Sequence, residues 1–344
     1  MIVDAISNHR GSRGRRGRRR RLSLFGMTMH SGHRSTPPHA PVLGLTHRLL
    51  GRFHVTGVFW YRFAYWGFTR LPSWTEWITT SFFAIFFFLT LGRIRGALAS
   101  NLEPVLGRTG RWGAFGRSFR TLWAFSWCFT ERYRRLANPE RFSAALEGEE
   151  HWRQVMDGPG GVILVTAHIG PWETATHFGA SNSPRRIHIV REKEIDPRAQ
   201  QFIQELLARS GNNYVTHFAG EDLTLAIELA NALREGDVVA LQGDRPREGG
   251  RTMTVRLFGR PMPLPTGPAA LARAADVPIL PVFNFRDGRF RVRTAVRAPI
   301  HVAHTADRDA DVAGAMQRLA TEIEWAIRRR PHQWFCFRRL WSEI

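Results

Sequence analysis

The chain has 344 residues, 43% of them hydrophobic, and a formal net charge of +20 carried almost wholly by arginine, since Lys193 is its single lysine. That length and apolar content exclude a disordered polypeptide and suit one large domain with an appendage, or two modest ones. Two cysteines, Cys128 and Cys336, stand among aromatics without zinc spacing, so they read as small buried hydrophobes and not as a metal or disulfide framework.

Residues 1–45 read as an arginine-rich, disordered tail and linker. Eight arginines from Arg10 to Arg21, against the one acid Asp4, put +7 of the charge into the first 22 residues. Each arginine near an anionic lipid surface gains roughly 1 kcal/mol, yet a solvated tail has the same composition, so the run by itself assigns no partner. No compact apolar core with a small-residue cleavage site follows, so no secretory signal is expected and the catalytic part is placed in the cytoplasm. "HSGHRSTPPHAPVLGL", 30 to 45, has the Pro, His, Ser and Gly content of a linker.

Residues 46–139 form an aromatic helical region. From Trp77 to Gly92 no charge occurs, Glu76 and Arg93 bracket the stretch, and five phenylalanines crowd positions 82 to 88. The stretch is shorter than the roughly 20 residues that cross a hydrocarbon core. An interfacial or half-inserted helix fits, with Trp74 and Trp77 at headgroup depth; a buried helix of a soluble fold is the alternative. Residues 95 to 157, with "FRTLWAFSWCFTERYRRL", are helical in pattern.

Residues 140–344 change character. The runs "GVILVTA", "RIHIV", "DVVAL" and "VPILPVF" alternate with helical stretches such as "DPRAQQFIQELLARSG" and "EDLTLAIELANALREG". Such alternation predicts an α/β fold, a mostly parallel central sheet flanked by helices. Ligands of such sheets sit beyond the carboxyl ends of the strands.

At one such end stands "AHIGPWE". Gly170 suits a tight turn, Pro171 the first helical position, and Glu173 the first helical turn, where the helix end favours an ionised carboxylate. A turn lets His168 and Glu173 meet: the carboxylate accepts a hydrogen bond from one ring N–H and leaves the other nitrogen as a base, an effect worth about 10² to 10⁴ in rate. A capping glutamate beside an incidental histidine is the competing interpretation. No Gly-x-Ser-x-Gly elbow occurs, "GDRPREGGR" lacks the Gly-Lys-Ser/Thr ending of a P-loop, and the histidines lack ligand spacing, so no metal site is expected.

The His-x4-Glu motif, with "IVREKEID", "GDVVALQGDRPREGG", "VRLFGRPMPLPTGPAALARAADVPILPVF" and "RRRPHQWFCFRRLW", resembles the bacterial lipid A biosynthesis acyltransferases, a family that also includes phosphatidylinositol mannoside acyltransferases. The resemblance runs from about residue 50 to the end. It implies transfer of a fatty acyl chain from an acyl carrier protein or coenzyme A thioester to a hydroxyl of a lipid A precursor or related glycolipid, without metal or resident cofactor. His168 is then the general base and Glu173 its orienting partner, with backbone amides near Gly170 or an arginine as oxyanion donors. The implied setting is the cytoplasmic face of the inner membrane. An anionic lipid surface and an acidic carrier protein both suit the +13 that remains beyond the tail, and nucleic acid is not an expected partner.

Four further residues are candidates for substrate binding. Arg191, at a strand end, suits an anionic headgroup; Asp244, in "LQGDRP", matches an acidic position of the family and holds Arg245 or His168 in place, or caps a turn. Gly267, at a helix start after Thr266, suits phosphate or close backbone approach, although packing alone also explains a glycine there. The terminal block departs from the family at Cys336 and Phe337, and Pro171 replaces a small or amide residue. These departures leave the acceptor open to a phosphatidylinositol mannoside or a lysophospholipid. A non-catalytic lipid-binding homologue and a thioesterase remain as rivals.

Overall fold

The computed structural model describes residues 58–137, 141–173, 185–193, 196–208, 214–219, 223–246 and 249–341. The arginine-rich tail and linker lie outside them. Four helices come first: α1 (Val58–Arg70), α2 (Thr75–Thr90), α3 (Gly92–Leu106) and α4 (Arg111–Ala137). Strand β1 (Ser143–Glu147), helix α5 (Glu149–Met156), β2 (Val162–Thr166), β3 (Ile187–Arg191), α6 (Pro197–Ala208), β4 (Tyr214–Phe218), α7 (Leu223–Arg234) and β5 (Val238–Gln242) follow. The chain continues through β6 (Thr252–Leu257), β7 (Arg260–Pro265), α8 (Gly267–Ala275), β8 (Ile279–Gly288), β9 (Arg291–Val296) and α9 (Arg308–Arg329).

Seven strands form one sheet in the order β1-β9-β8-β2-β5-β3-β4. Every neighbouring pair is parallel except β8 with β9. This is the expected α/β architecture with a mostly parallel sheet. The central strand β2 is apolar at every alternation because both its faces are covered. Val162 and Leu164 pack with Trp152, Val155 and Met156 of α5. Ile163 and Val165 face the opposite layer, with Ala269 and Ala272 of α8 and Ala315, Leu319 and Ile323 of α9.

The sequence pattern left β1, β4, β6, β7 and β9 unpredicted. The β7 stretch "RPMPLP" has prolines at alternate positions, which argues against a ladder strand. It survives because β6 and β7 form a separate two-stranded hairpin. Period two throws its three missing donors onto one edge, away from the hydrogen bonds with β6.

Helix α2 is built the other way round from the sheet. Its buried stripe is Glu76, Thr80, Ala84 and Phe88, an i, i+4 row. Thr80 meets Thr130 of α4 at 2.8 Å, and the Glu76 carboxylate accepts from Arg134 of α4 and from Arg289, the latter at 3.0 Å. Outward stand Ile78, Phe82 and Leu89, 62%, 62% and 63% exposed. Among the described residues no single helix is long and apolar enough to cross a membrane, although α2 and α3, bent by 89° at their junction, pass that test of length and composition as a pair. Helix α4 joins this layer to the sheet: Glu131 accepts Nε and Nη2 of Arg286 on β8 at 2.9 and 2.8 Å.

Candidate active site

Strands β2 and β5 run parallel in register from Val162 opposite Val238 to Thr166 opposite Gln242. The Gly243 amide donates to the Thr166 carbonyl at 2.9 Å, which extends the ladder past both strand ends. Two residues beyond each strand, the same register sets His168 opposite Asp244. Their side chains meet with Nδ1 and Oδ1 2.7 Å apart. Gly243 is needed between them, since a Cβ there would lie 2.7 Å from Cγ1 of Val165.

Asp244 is 1% exposed. Its second oxygen accepts the indole N–H of Trp334 at 3.2 Å. Burial by itself raises the carboxyl pKa, but the hydrogen-bonded His168 and the nearby Arg245 outweigh it and hold Asp244 ionised. An ionised carboxylate only accepts, so Nδ1 of His168 carries the proton and Nε2 keeps its lone pair. Burial, followed by the charge of Arg245, lowers the His168 pKa below its ordinary value against the pull of Asp244. The imidazole is therefore neutral near pH 7. No hydrogen bond to its Nε2 forms among the described residues, and His168 retains 7% exposure beside the Trp172 ring, 5.4 Å away between centroids.

The expected pairing of His168 with Glu173 is corrected: Asp244 is the carboxylate on the imidazole. The chain turns at Gly170 (φ 53°), where a Cβ would lie 2.3 Å from the Asn284 carbonyl oxygen, and residues 171–173 continue as bend and turn, not as the first turn of a helix. That turn delivers Glu173 to Nε of Arg132 on α4 at 2.5 Å, with Arg191 at 3.9 Å. The remainder of the expected helix lies outside the described residues.

The amides proposed as oxyanion donors are also spoken for. Gly170 N–H donates to the Gln333 carbonyl at 2.8 Å, Ile169 N–H to Ala167 at 2.7 Å, and Trp172 N–H to Gly170 at 2.9 Å. Arg245, directly after Asp244, brings a cation to the pair, and its charge acts on both His168 and Asp244. Arg191 ends β3 and pairs with Glu173 at 3.9 Å, not with His168. Gly267 opens α8 with nothing within 4 Å of the place of a Cβ, so packing does not demand a glycine there. Both cysteines are buried and free, and burial raises both thiol pKa values.

Aromatic side chains lead away from the pair. Trp172 lies 6.0 Å from Phe335, and Phe335 lies 5.3 Å from Phe125 of α4. Phe125 joins Phe88, Ile94, Leu98 and Leu122 in one buried cluster. Trp334 and Arg132 were not assigned roles from the sequence. Trp334 stands in the quoted terminal block, but nothing local to it points toward Asp244.

The fold and the site first define a class, an α/β protein with a histidine–carboxylate pair just past the carboxyl ends of two central strands of a mostly parallel sheet. The profile of the family described as bacterial lipid A biosynthesis acyltransferase matches residues 111–343, which is more than half of the chain. The chain belongs to that family and is an acyltransferase. It is similar to the phosphatidylinositol mannoside acyltransferase of Mycobacterium tuberculosis, strains CDC 1551 / Oshkosh and ATCC 25618 / H37Rv. Both are 25% identical over 240 residues, covering 66% of this chain and 68% of each relative. Among solved structures it is similar to the 1-acyl-sn-glycerophosphate (LPA) acyltransferase PlsC of Thermotoga maritima, with 12% identity and a TM-score of 0.36 over 74% of this chain and 99% of that one.

Proposed function

We propose that the protein moves a fatty acyl chain from an acyl carrier protein or coenzyme A thioester to a hydroxyl of an anionic membrane glycolipid, with His168 as general base. The observation that carries the reading is the 2.7 Å contact of Nδ1 with Asp244, which leaves Nε2 as an acceptor. In this mechanism Nε2 takes the proton of the acceptor hydroxyl while its oxygen attacks the thioester carbonyl carbon. Asp244 stabilises the imidazolium, and Arg245 is the candidate partner for the charge that develops on the carbonyl oxygen. The C–S bond then breaks, the ester remains on the acceptor, and the imidazolium returns its proton to the thiolate. The chemistry needs no metal and no resident cofactor.

The family description supports a lipid A precursor as acceptor, and the similar mycobacterial protein supports a phosphatidylinositol mannoside. Docking on the cytoplasmic face of the inner membrane is part of the proposal. A helix that buries Glu76 and exposes Ile78, Phe82 and Leu89 is stable where lipid covers that face. The test uses purified protein, labelled acyl thioester and a panel of both acceptors in vesicles. Wild type is expected to form acylated lipid, with His168→Ala slower by about 10² to 10⁴. Equal transfer by both proteins would end the base assignment. Free fatty acid without acylated acceptor would show a thioesterase instead.

A further inference from the structure

The segment that follows α9 ties together the ends of three strands. After a short 3-10 turn (Pro331–Gln333), the chain lies antiparallel to residues 168–170, bridging Ile169 with Trp334. The Phe335 amide donates to the His168 carbonyl at 2.8 Å, and the Gln333 carbonyl accepts from the Gly170 amide at 2.8 Å. The Gln333 side chain pairs with the backbone of Arg286 on β8 like one more strand residue, accepting from its N–H and donating to its carbonyl, each at 2.8 Å. Asn101 of α3 anchors the far side, donating to the carbonyls of Cys336 and Arg338 at 3.0 and 2.8 Å. From this anchored backbone the Trp334 indole, 1% exposed, reaches Asp244 beyond β5.

We infer that Trp334 is a positioning residue for acyl transfer: its indole N–H holds Oδ2 of Asp244, so that Oδ1 faces His168, and it moderates how strongly that carboxylate draws a proton onto the pair. The inference rests on His168 acting as the base. A buried carboxylate spreads its charge over its donors, and each donor lowers its affinity for a proton. Without the indole N–H, Oδ2 is buried with one donor fewer. More of the charge then falls on the bond to His168, and the pair binds a proton at higher pH. Among the described residues, the other charged or titratable groups near it are Arg245 after β5, Cys336 and Arg338 on the same terminal segment, and the Glu173 cluster with Arg132 and Arg191 past the turn. None of them replaces the missing donor on Oδ2.

Trp334→Phe removes the donor and keeps an aromatic ring, and benzothienylalanine incorporated at position 334 removes it while keeping the bicyclic shape. Either change is expected to lower kcat about tenfold, the lower end of what loss of an orienting hydrogen bond does to a supported site, with KM for the thioester held within about twofold. The acid limb of kcat/KM should move to higher pH. In an Asp244→Asn background, Trp334→Phe should move the limb no further. If Trp334→Phe does not fold, the bicyclic replacement gives the same readout in a packed core. An unmoved limb in a folded variant overturns the inference while His168→Ala remains inactive. Full activity of His168→Ala overturns the base reading, and this inference with it.

Discussion

The sheet and helix α2 invert one another. In β2, Ile163 and Val165 are 0% exposed between helices on both faces. In α2 the buried row begins with Glu76 and Thr80 and ends with Ala84 and Phe88, while Ile78, Phe82 and Leu89 look outward. The sheet buries its apolar side chains on both faces, as the hydrophobic effect in water requires, whereas α2 buries hydrogen-bonded polar groups and leaves Ile78, Phe82 and Leu89 exposed. The His168–Asp244 pair lies where these two layers meet, because α4 contacts the sheet through Glu131 and the turn after β2 through Arg132.

The largest effect is expected on the sheet side. Asp244→Asn keeps the shape but loses the charge and lets the amide impose the wrong tautomer on His168, so kcat should fall by about 10² or more, as for loss of a general base's orienting acid. Steady-state kinetics on a variant with wild-type circular dichroism checks this; a loss below threefold would remove Asp244 from the mechanism. Next comes the inverted helix's own core. Glu76→Gln leaves Arg134 and Arg289 without their shared carboxylate, and breaking a buried pair costs about 3–5 kcal/mol. Denaturant unfolding reads this directly.

A matched pair of substitutions then compares the two regions. Ile163→Ala should cost about 2–5 kcal/mol of stability, while Phe82→Ser should leave stability within about 0.5 kcal/mol in aqueous buffer. Phe82→Ser should instead weaken vesicle binding, by up to about 1.5–3 kcal/mol if its ring is fully withdrawn from water. Flotation with anionic vesicles measures it, and unchanged binding by Phe82→Ser would mean that this face does not meet lipid.

The smallest effect is the position of a titration. Burial and Arg245 lower the His168 pKa, so the base is neutral at pH 7, and activity is lost as pH falls through a value below the ordinary ~6.5. The sign for stability agrees: the native state resists protonating His168, so stability declines as pH drops below the unfolded value. The depressed Asp244 contributes stability present above ~3.9, lost as pH falls through its folded pKa. An acid limb above 7 in kcat/KM would contradict the burial of the imidazole.

Much of this was legible in the order of residues. The all-apolar alternation of "GVILVTA" made β2 a central strand, and the histidine two positions past it was placed where parallel sheets work. The family resemblance rested on blocks that the family profile matches, while the interfacial setting expected for the charge-free, phenylalanine-rich stretch is what the vesicle experiment tests. These are local patterns, periods of two or 3.6 residues and turn chemistry at a glycine, and they need no knowledge of what lies alongside.

The partner of the histidine was a different kind of question. Glu173 is five positions away and was the natural choice in sequence; Asp244 is on another strand and became the partner because β5 lies beside β2 in register. Strand order, the left-handed turn at Gly170 and the return of Trp334 across the ends of the central strands are products of long-range packing, to which no local periodicity responds. The sequence by itself determined the α/β class and the position of His168 just past the end of β2. The tertiary structure alone decided which carboxylate accepts the imidazole N–H, because hydrogen-bond partners are chosen by distance in space and chain separation carries little of that information.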